Sequence, residues 1–295
     1  MPEPTVNTAV RQAVSPVSWR RRITDHVMTG VAVLTVVLVL IPLVAIFGYL
    51  IYKGVGSLNM AFLTHIPVPE GETGGGMANA IVGSALILVV ASLIGVPFGV
   101  GAGIYLAEFG RNRLGSAIRF TADVLNGVPS IVIGIVAYAI VVLSQKHFSA
   151  LAGGVALAIM MVPTISRTTE EMLLLVPQAL REAAYGLGVP RWRTTLSITL
   201  RTATSGVITG VMLAFARVAG ETAPLLFTAL GNEFWSLRLD QPTAALPLQI
   251  YRYALSPYDD FHRQAWAGAL VLIVLIVTAV AAVRFVVRRG TFGAA

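Results

Sequence analysis

The chain has 295 residues, of which 56% are hydrophobic and only 12% are charged. A soluble domain normally carries about twice that charged fraction, so the composition excludes a soluble protein and places most of the chain in lipid. The net charge of +7 does not indicate a nucleic-acid-binding protein, because the basic residues lie beside apolar segments and not on a soluble face with interleaved aromatic residues.

Several apolar segments are long enough to cross a bilayer as helices, which takes about 20 residues each. The candidates lie near residues 27–51, 79–107, 124–144, 149–166, 205–230 and 265–287. The first is too long for the core of a signal peptide, and we interpret it as a retained helix. The sequence therefore predicts an all-α, polytopic membrane protein with about six transmembrane helices.

An even number of spans places both termini on the same side of the membrane. With cytoplasmic termini, fifteen of the 21 Lys and Arg residues lie inside and five lie outside. This asymmetry favours cytoplasmic N- and C-termini, because basic residues accumulate in short cytoplasmic loops. We predict a cytoplasmic N-terminal segment (1–26), a transmembrane domain (27–289) and a cytoplasmic C-terminal tail (290–295).

The second predicted span carries glycines at regular helical spacing. Gly95, Gly99 and Gly103 repeat every four residues, and Gly206 and Gly210 repeat that spacing in the fifth span. Such spacing lets two helix backbones approach closely inside a membrane. We therefore predict that these glycines are sites of helix–helix packing and do not bind a ligand.

The long inner loop, 167–204, carries a helix with a sharp end. Residues 178–184 are good helix formers, Gly186 and Gly188 interrupt the pattern, and Pro190 cannot continue it. The sequence predicts a short cytoplasmic helix that turns into a second, basic one. A rigid helix hinged by glycine can pass a rigid-body movement to the spans that it joins.

This loop resembles the EAA loop of ABC importer permeases. Glu182, Ala183 and Ala184 are followed by Gly188 and, after nine intervening residues, by a segment that begins at Ile198. The sequence departs from the motif where Arg201 replaces its final proline. The resemblance implies a type I ABC importer permease fold, with a cytoplasmic coupling helix that seats on an ATPase. The coupling residues that it implies are Glu182, Ala183, Ala184, Gly188 and Arg191.

Further motifs are similar to the PstA-type phosphate permease family, over about residues 77–287. They are VPTISRTTEE (162–171), ARVAGETAP (216–224) and NGVPS (126–130), and the GETAP segment points to phosphate. The resemblance implies a subunit of the bacterial inner membrane that forms half of a pathway for inorganic phosphate. The implied partners are a homologous second permease (PstC-like), two ATPase subunits (PstB-like) and an external phosphate-binding protein (PstS-like).

An arginine is predicted near the middle of the fifth span, where it costs about 2.5–3.5 kcal/mol on insertion scales. Arg217 and Glu221 are four residues apart, which places them on one face of a helix. They could form an internal salt bridge, or Arg217 could face the pathway and bind an oxyanion with its guanidinium. We assign Arg217, Glu221 and Thr222 to the substrate pathway.

The long outer loop, about 231–264, is rich in aromatic residues among prolines and charges. These residues are typical of an interfacial aromatic belt or of a docking surface for an external partner, and the sequence leaves both open. They are Phe234, Trp235, Tyr251, Tyr253 and Tyr258.

The sequence contains no site for ATP or for catalysis. The only lysines, Lys53 and Lys146, do not lie in a phosphate-binding loop, and no cysteine is present. We therefore expect a non-catalytic subunit with no metal and no cofactor, dependent on a separate ATPase. Two alternatives remain open: an ABC permease for another oxyanion such as sulfate or molybdate, and a secondary transporter driven by an ion gradient.

Overall fold

The computed structural model describes residues 19–292. The chain divides into two compact units, one that ends at Tyr52 and one that begins at Lys53, and each is described by itself. In the described residues the regular structure is helical, apart from one isolated bridge between Leu230 and Thr243. The prediction of an all-α fold is confirmed.

The first unit consists, in its described part, of helix α1 (Trp19–Val55), which ends just inside the second unit. The second unit contains the remaining helices in the following chain order: α2 (Met60–Thr64), α3 (Ala78–Phe109), α4 (Arg113–Gly127), α5 (Ser130–Gln145), α6 (Ala150–Leu174), α7 (Gln178–Gly186), α8 (Arg191–Ala219), α9 (Ala223–Thr228), α10 (Leu246–Ala254) and α11 (Asp259–Phe292).

Five of the described helices, α1, α3, α6, α8 and α11, are long and apolar enough to cross a membrane. Helices α4 and α5 are bent by 109° relative to each other, and together they would make a sixth span. The bend lies at Val128 and Pro129, where proline lacks the N–H of a continuing helix and holds the preceding residue in an extended conformation. These helices confirm the prediction of about six spans.

Several predicted boundaries differ from the observed helices. The predicted third span, 124–144, is interrupted at Val128, and its continuous part begins only at Ser130. The predicted fifth span, 205–230, is wrong at its C-terminal end, because α8 ends at Ala219, and α8 already begins at Arg191, before the predicted span. A helix needs only its backbone hydrogen bonds to continue, so polar residues such as those at 191–204 can extend it beyond the apolar segment.

The inner loop is shorter than predicted for the same reason. Of residues 167–204, those up to Leu174 belong to α6 and those from Arg191 belong to α8, which leaves 175–190 as the connection. Arg201, which replaces the motif proline, continues α8 directly after a π-helical turn over Thr195–Thr199. Of the predicted terminal segments, residues 1–18 and 293–295 lie outside the described residues.

Helices α3 and α6 form the centre of the second unit through their glycines. A Cβ at Gly99 would lie 2.7 Å from Ile165 Cβ, and a Cβ at Gly103 would lie 2.5 Å from Thr169 Cβ. At Gly95 the nearest atom would be Met161 Cβ at 3.0 Å. The two backbones approach closely because no side chain separates them, which confirms the predicted packing role.

The second glycine pair packs α8 against the same helix α6. A Cβ at Gly206 would overlap the Met172 side chain, and a Cβ at Gly210 would overlap the Thr168 side chain, because both distances are shorter than van der Waals contact. Both sides of α6 are therefore fixed by close contacts. Most of its apolar residues are buried, and they form a core with α3, α5, α8 and α9.

The outer loop is partly buried in the second unit. Its segment from Thr243 to Gln249 is buried, and a Cβ at Gly83 of α3 would overlap the Ala244 carbonyl oxygen. Tyr253 is also buried and stacks on Phe261, with ring centroids 4.2 Å apart. Tyr253 is therefore a core residue and belongs to neither predicted surface, whereas the other four aromatic residues are exposed.

Candidate coupling and translocation sites

Helix α7 is the short helix that the sequence predicts before Gly188, and it carries most of the predicted coupling residues. Ala184 is buried, whereas Glu182 and Ala183 are exposed. The Gln178 amide donates a hydrogen bond of 3.0 Å to Glu182 Oε1, one turn along the helix. One face of α7 thus packs on the rest of the second unit, and the other face is exposed.

Helix α7 ends in a turn that depends on Gly188. This residue has a φ of +78°, in the left-handed region that side chains disfavour. The Gly188 N–H donates to the Tyr185 carbonyl at 2.9 Å, and the Val189 N–H donates to the Ala184 carbonyl at 3.1 Å. These two bonds form a Schellman motif, which fixes the direction in which the chain leaves the helix.

The second, basic helix begins directly after this turn. Arg191 is the first residue of α8, and its guanidinium carbon lies 5.8 Å from the centre of the Phe109 ring. Leu187 and Trp192 flank the turn with 84% and 64% of their surface exposed. Together with Leu180 and Tyr185, which are also exposed, they form an apolar surface around the coupling residues.

Behind α7 lies a cleft of about 450 Å³, which contains an ion pair that the sequence analysis missed. Arg181 Nη1 lies 2.7 Å from Glu108 Oε1, and Arg181 Nη2 donates a hydrogen bond of 2.7 Å to the Leu173 carbonyl. The side chains are 16% and 6% exposed. Helix α7 is therefore bound to the C-terminal ends of both α3 and α6.

A second group of charges joins α4 to the same helix ends. Arg119 Nε lies 2.7 Å from Glu170 Oε1, and its other nitrogens donate to the carbonyls of Gly110 and Leu106. The second oxygen of Glu170 accepts a hydrogen bond of 3.0 Å from Arg167. Glu170 itself is buried, so these partners offset the cost of removing its charge from water.

Asp123 joins this network through Arg167 of α6 and not through Arg119, which lies one turn earlier in its own helix. Its Oδ1 lies 3.2 Å from Arg167 Nε. Two ion pairs one turn apart thereby join α4 and α6, and a hydrogen bond of 3.0 Å between Thr164 and Asn126 extends the contact towards the bend. The TEE portion of the VPTISRTTEE motif supplies Glu170, which is the signal that could have pointed to this network.

Two interrupted helices meet at the predicted translocation path. Helix α5 begins after the bend at Val128 and Pro129, and α9 begins after the break that follows Gly220. A Cβ at Gly134 of α5 would lie 2.6 Å from Pro224 Cα of α9. Membrane transporters commonly form substrate sites from such discontinuous helices, because their ends expose unpaired backbone groups.

The predicted pathway residues lie at this break, but not in the expected arrangement. Arg217 occupies the last turn of α8, whereas Glu221 follows Gly220, where the helix has ended, and Thr222 precedes α9. The prediction that Arg217 and Glu221 share one helical face near the middle of a span was wrong. The cause is the glycine at 220 together with the proline at 224, which interrupt the helix between them.

The alternative of an internal salt bridge is not observed either. Within residues 19–292, Arg217 makes no hydrogen bond or ion pair, and its side chain is exposed, while Glu221 is half-buried. A permanently charged guanidinium at a break between helices is therefore available to bind an anion.

The helical body, with the short helix α7 between α6 and α8, defines a membrane permease of the ABC importer class. Residues 99–291 match the family model described as "Binding-protein-dependent transport system inner membrane component". A chain of the MetNI methionine ABC transporter, solved in inward-facing conformations, has a TM-score of 0.57. The alignment covers 72% of this chain and 97% of the transporter chain at 18% identity, which shows that the fold is shared.

Sequence relatives identify the branch of this family. A phosphate transport system permease protein PstA from Yersinia pestis is 46% identical over 275 residues, covering 92% of this chain and 93% of its own. The Haemophilus influenzae PstA is 45% identical, covering 88% and 91%, and Mycobacterium tuberculosis PstA 1 is 38% identical, covering 93% and 92%. The chain belongs to the PstA family of binding-protein-dependent permeases.

Proposed function

We propose that this permease carries inorganic phosphate across the bacterial inner membrane, as half of the translocation path of an ATP-driven importer. The observation that carries the proposal is its identity of 45–47% with several PstA phosphate transport proteins over most of the chain. The alternatives of another oxyanion or of an ion-driven transporter do not account for that identity together with the hinged helix α7.

Arg217, Glu221 and Thr222 form the phosphate station in this proposal. The guanidinium of Arg217 is exposed at the break between α8 and α9, and it can bind two phosphate oxygens at once. Glu221 lies close by in sequence on the loop side of the break, where its negative charge weakens anion binding. Weakened binding favours release, which a conducting site requires.

The coupling site transmits the energy of ATP hydrolysis to the permease. In our proposal the exposed face of α7, with Glu182, Ala183 and Gly188, and the adjacent Arg191 dock on one of two ATPase subunits. A homologous second permease forms the other half of the path, and an external binding protein delivers phosphate. The chain itself is then a non-catalytic subunit, and both of its termini are cytoplasmic.

Uptake by the reconstituted transporter tests this proposal. We expect proteoliposomes that contain both permeases, the ATPase and the binding protein to take up radiolabelled phosphate only when ATP is present. Excess unlabelled phosphate is expected to compete with this uptake, whereas sulfate and molybdate are not. Competition by sulfate would favour a different oxyanion, and loss of uptake on collapse of the ion gradient, with ATP maintained, would favour a secondary transporter.

Gly188→Ala is expected to uncouple ATP hydrolysis from uptake. An alanine at a φ of +78° costs about 1–2 kcal/mol, because its Cβ is too close to the following carbonyl oxygen. This strain lowers the population of the observed turn about five- to thirtyfold. We expect phosphate uptake to fall severalfold at an ATPase rate that is little changed, measured in the same proteoliposomes.

Gly186→Ala is the matched control for this variant. Gly186 is the last residue of α7, has no positive φ and has nothing within 4 Å of an added Cβ. Its replacement is therefore expected to leave both rates unchanged. Equal uptake by the two variants would show that the left-handed turn is not required for coupling.

A further inference from the structure

We propose that the ion pair between Arg181 and Glu108 is the link through which the coupling helix α7 moves the spanning helices α3 and α6. The proposal rests on the proposed function, because it assumes that α7 receives the movement of the ATPase. It assigns Arg181 and Glu108 as positioning residues that touch neither phosphate nor ATP.

Arg181 is the charged residue of α7 that reaches into the helical body. Its guanidinium forms an ion pair with Glu108 at 2.7 Å and donates a hydrogen bond of 2.7 Å to the Leu173 carbonyl, so that one side chain holds two other helices. The other long polar side chains of α7, Gln178 and Glu182, are exposed and bond to each other. A movement of α7 therefore acts on α3 and α6 directly through Arg181.

The end of α3 is a place where cations bind favourably. Glu108 lies in the last turn of α3, where the helix dipole is negative and disfavours a carboxylate. Arg181 neutralises this charge from one side, while Arg119 of α4 donates hydrogen bonds to the Leu106 and Gly110 carbonyls from another. The coupling helix and α4 thus hold the same end of α3, the five residues 106–110.

The helices held by Arg181 form a rigid pair. Gly99 and Gly103 of α3 lie against Ile165 and Thr169 of α6, with no side chain between the backbones. Close-packed interfaces of this kind transmit displacement because they cannot be compressed. A displacement applied at Glu108 and Leu173 therefore reaches the whole length of α3 and α6.

The effect extends to the interrupted helix at the translocation path. Arg119 binds Glu170 of α6 at 2.7 Å, and Asp123 binds Arg167 of α6 at 3.2 Å, which attaches α4 to the moving pair. Helix α4 leads through the bend at Pro129 into α5, which packs on α9 beside the break that carries Arg217. The charges thus connect α7 with both interrupted helices.

A charge exchange tests the link. The single variants Arg181→Glu and Glu108→Arg each place two like charges in the cleft, and the double variant restores an opposite pair. In the reconstituted transporter we expect each single variant to lower the phosphate transported per ATP hydrolysed at least tenfold. The double variant is expected to recover most of the wild-type ratio. Arg113→Glu, at the exposed start of α4, is the control for the change of charge and is expected to keep that ratio.

A neutral pair keeps the test decisive if the single variants fail to accumulate in the membrane. Arg181→Gln combined with Glu108→Gln removes the ion pair without leaving a buried charge unpaired, so the protein is expected to assemble. We expect its transport ratio to fall like that of the single variants. A wild-type ratio in this double variant, or a charge exchange that assembles without recovery, would overturn the proposal. Failure of the wild-type assembly to transport phosphate would instead refute the proposed function.

Discussion

Arg217→Ala is expected to abolish phosphate uptake while the protein still inserts and assembles. The variant loses the guanidinium that binds two phosphate oxygens, and each hydrogen bond to a charged group contributes about 1.5–3 kcal/mol. Uptake is therefore expected to fall by about two orders of magnitude or more. Because Arg217 is exposed and forms no bond within residues 19–292, its removal leaves no partner unpaired in this part of the chain.

Arg238→Ala is the matched control for the loss of an arginine. Arg238 is exposed in the loop between α9 and α10 and pairs with Asp240 at 2.8 Å, an interaction that solvent screens. We expect uptake by this variant to remain at the wild-type level. Rates are compared in proteoliposomes at equal amounts of assembled transporter. Normal uptake by the Arg217 variant would remove this residue from the pathway and with it the proposed phosphate station.

Gly103→Ala is expected to destabilise the protein although it adds only a single methyl group. The new Cβ would lie 2.5 Å from Thr169 Cβ and 2.7 Å from the Ser166 carbonyl oxygen, on a part of α6 that is itself packed against α8. Because α6 cannot move away freely, we expect a cost of about 1–3 kcal/mol. The measurement is the thermal unfolding midpoint of the detergent-solubilised transporter, together with its amount in the membrane.

Gly101→Ala provides the comparison on the same helix. Gly101 is exposed two residues away, and nothing lies within 4 Å of an added Cβ. Alanine favours a helix over glycine by about 0.5–1 kcal/mol, so this variant is expected to unfold at the same temperature or higher. If both variants unfolded alike, the close approach of α3 and α6 would not determine stability.

The positions of the helices that cross the membrane follow from the sequence, but several of their ends do not. Burial in lipid selects continuous apolar segments, and this selection depends only on neighbours in sequence. Helix α8 begins well before the predicted fifth span, because polar residues after Arg191 continue the helix outside the apolar region. The predicted span 124–144 is interrupted because Pro129 lies inside it.

The sequence by itself determined the coupling helix, since helix formers at 178–184, the glycine at 188 and the proline at 190 act on their own backbone. It also determined the glycine faces of α3, because their spacing follows the turn of a helix. Only the tertiary structure joined Arg181 to Glu108 and Arg119 to Glu170, the last two 51 residues apart. Propensity and partition into lipid act over neighbouring residues, whereas an ion pair depends on which distant helices the packing brings together.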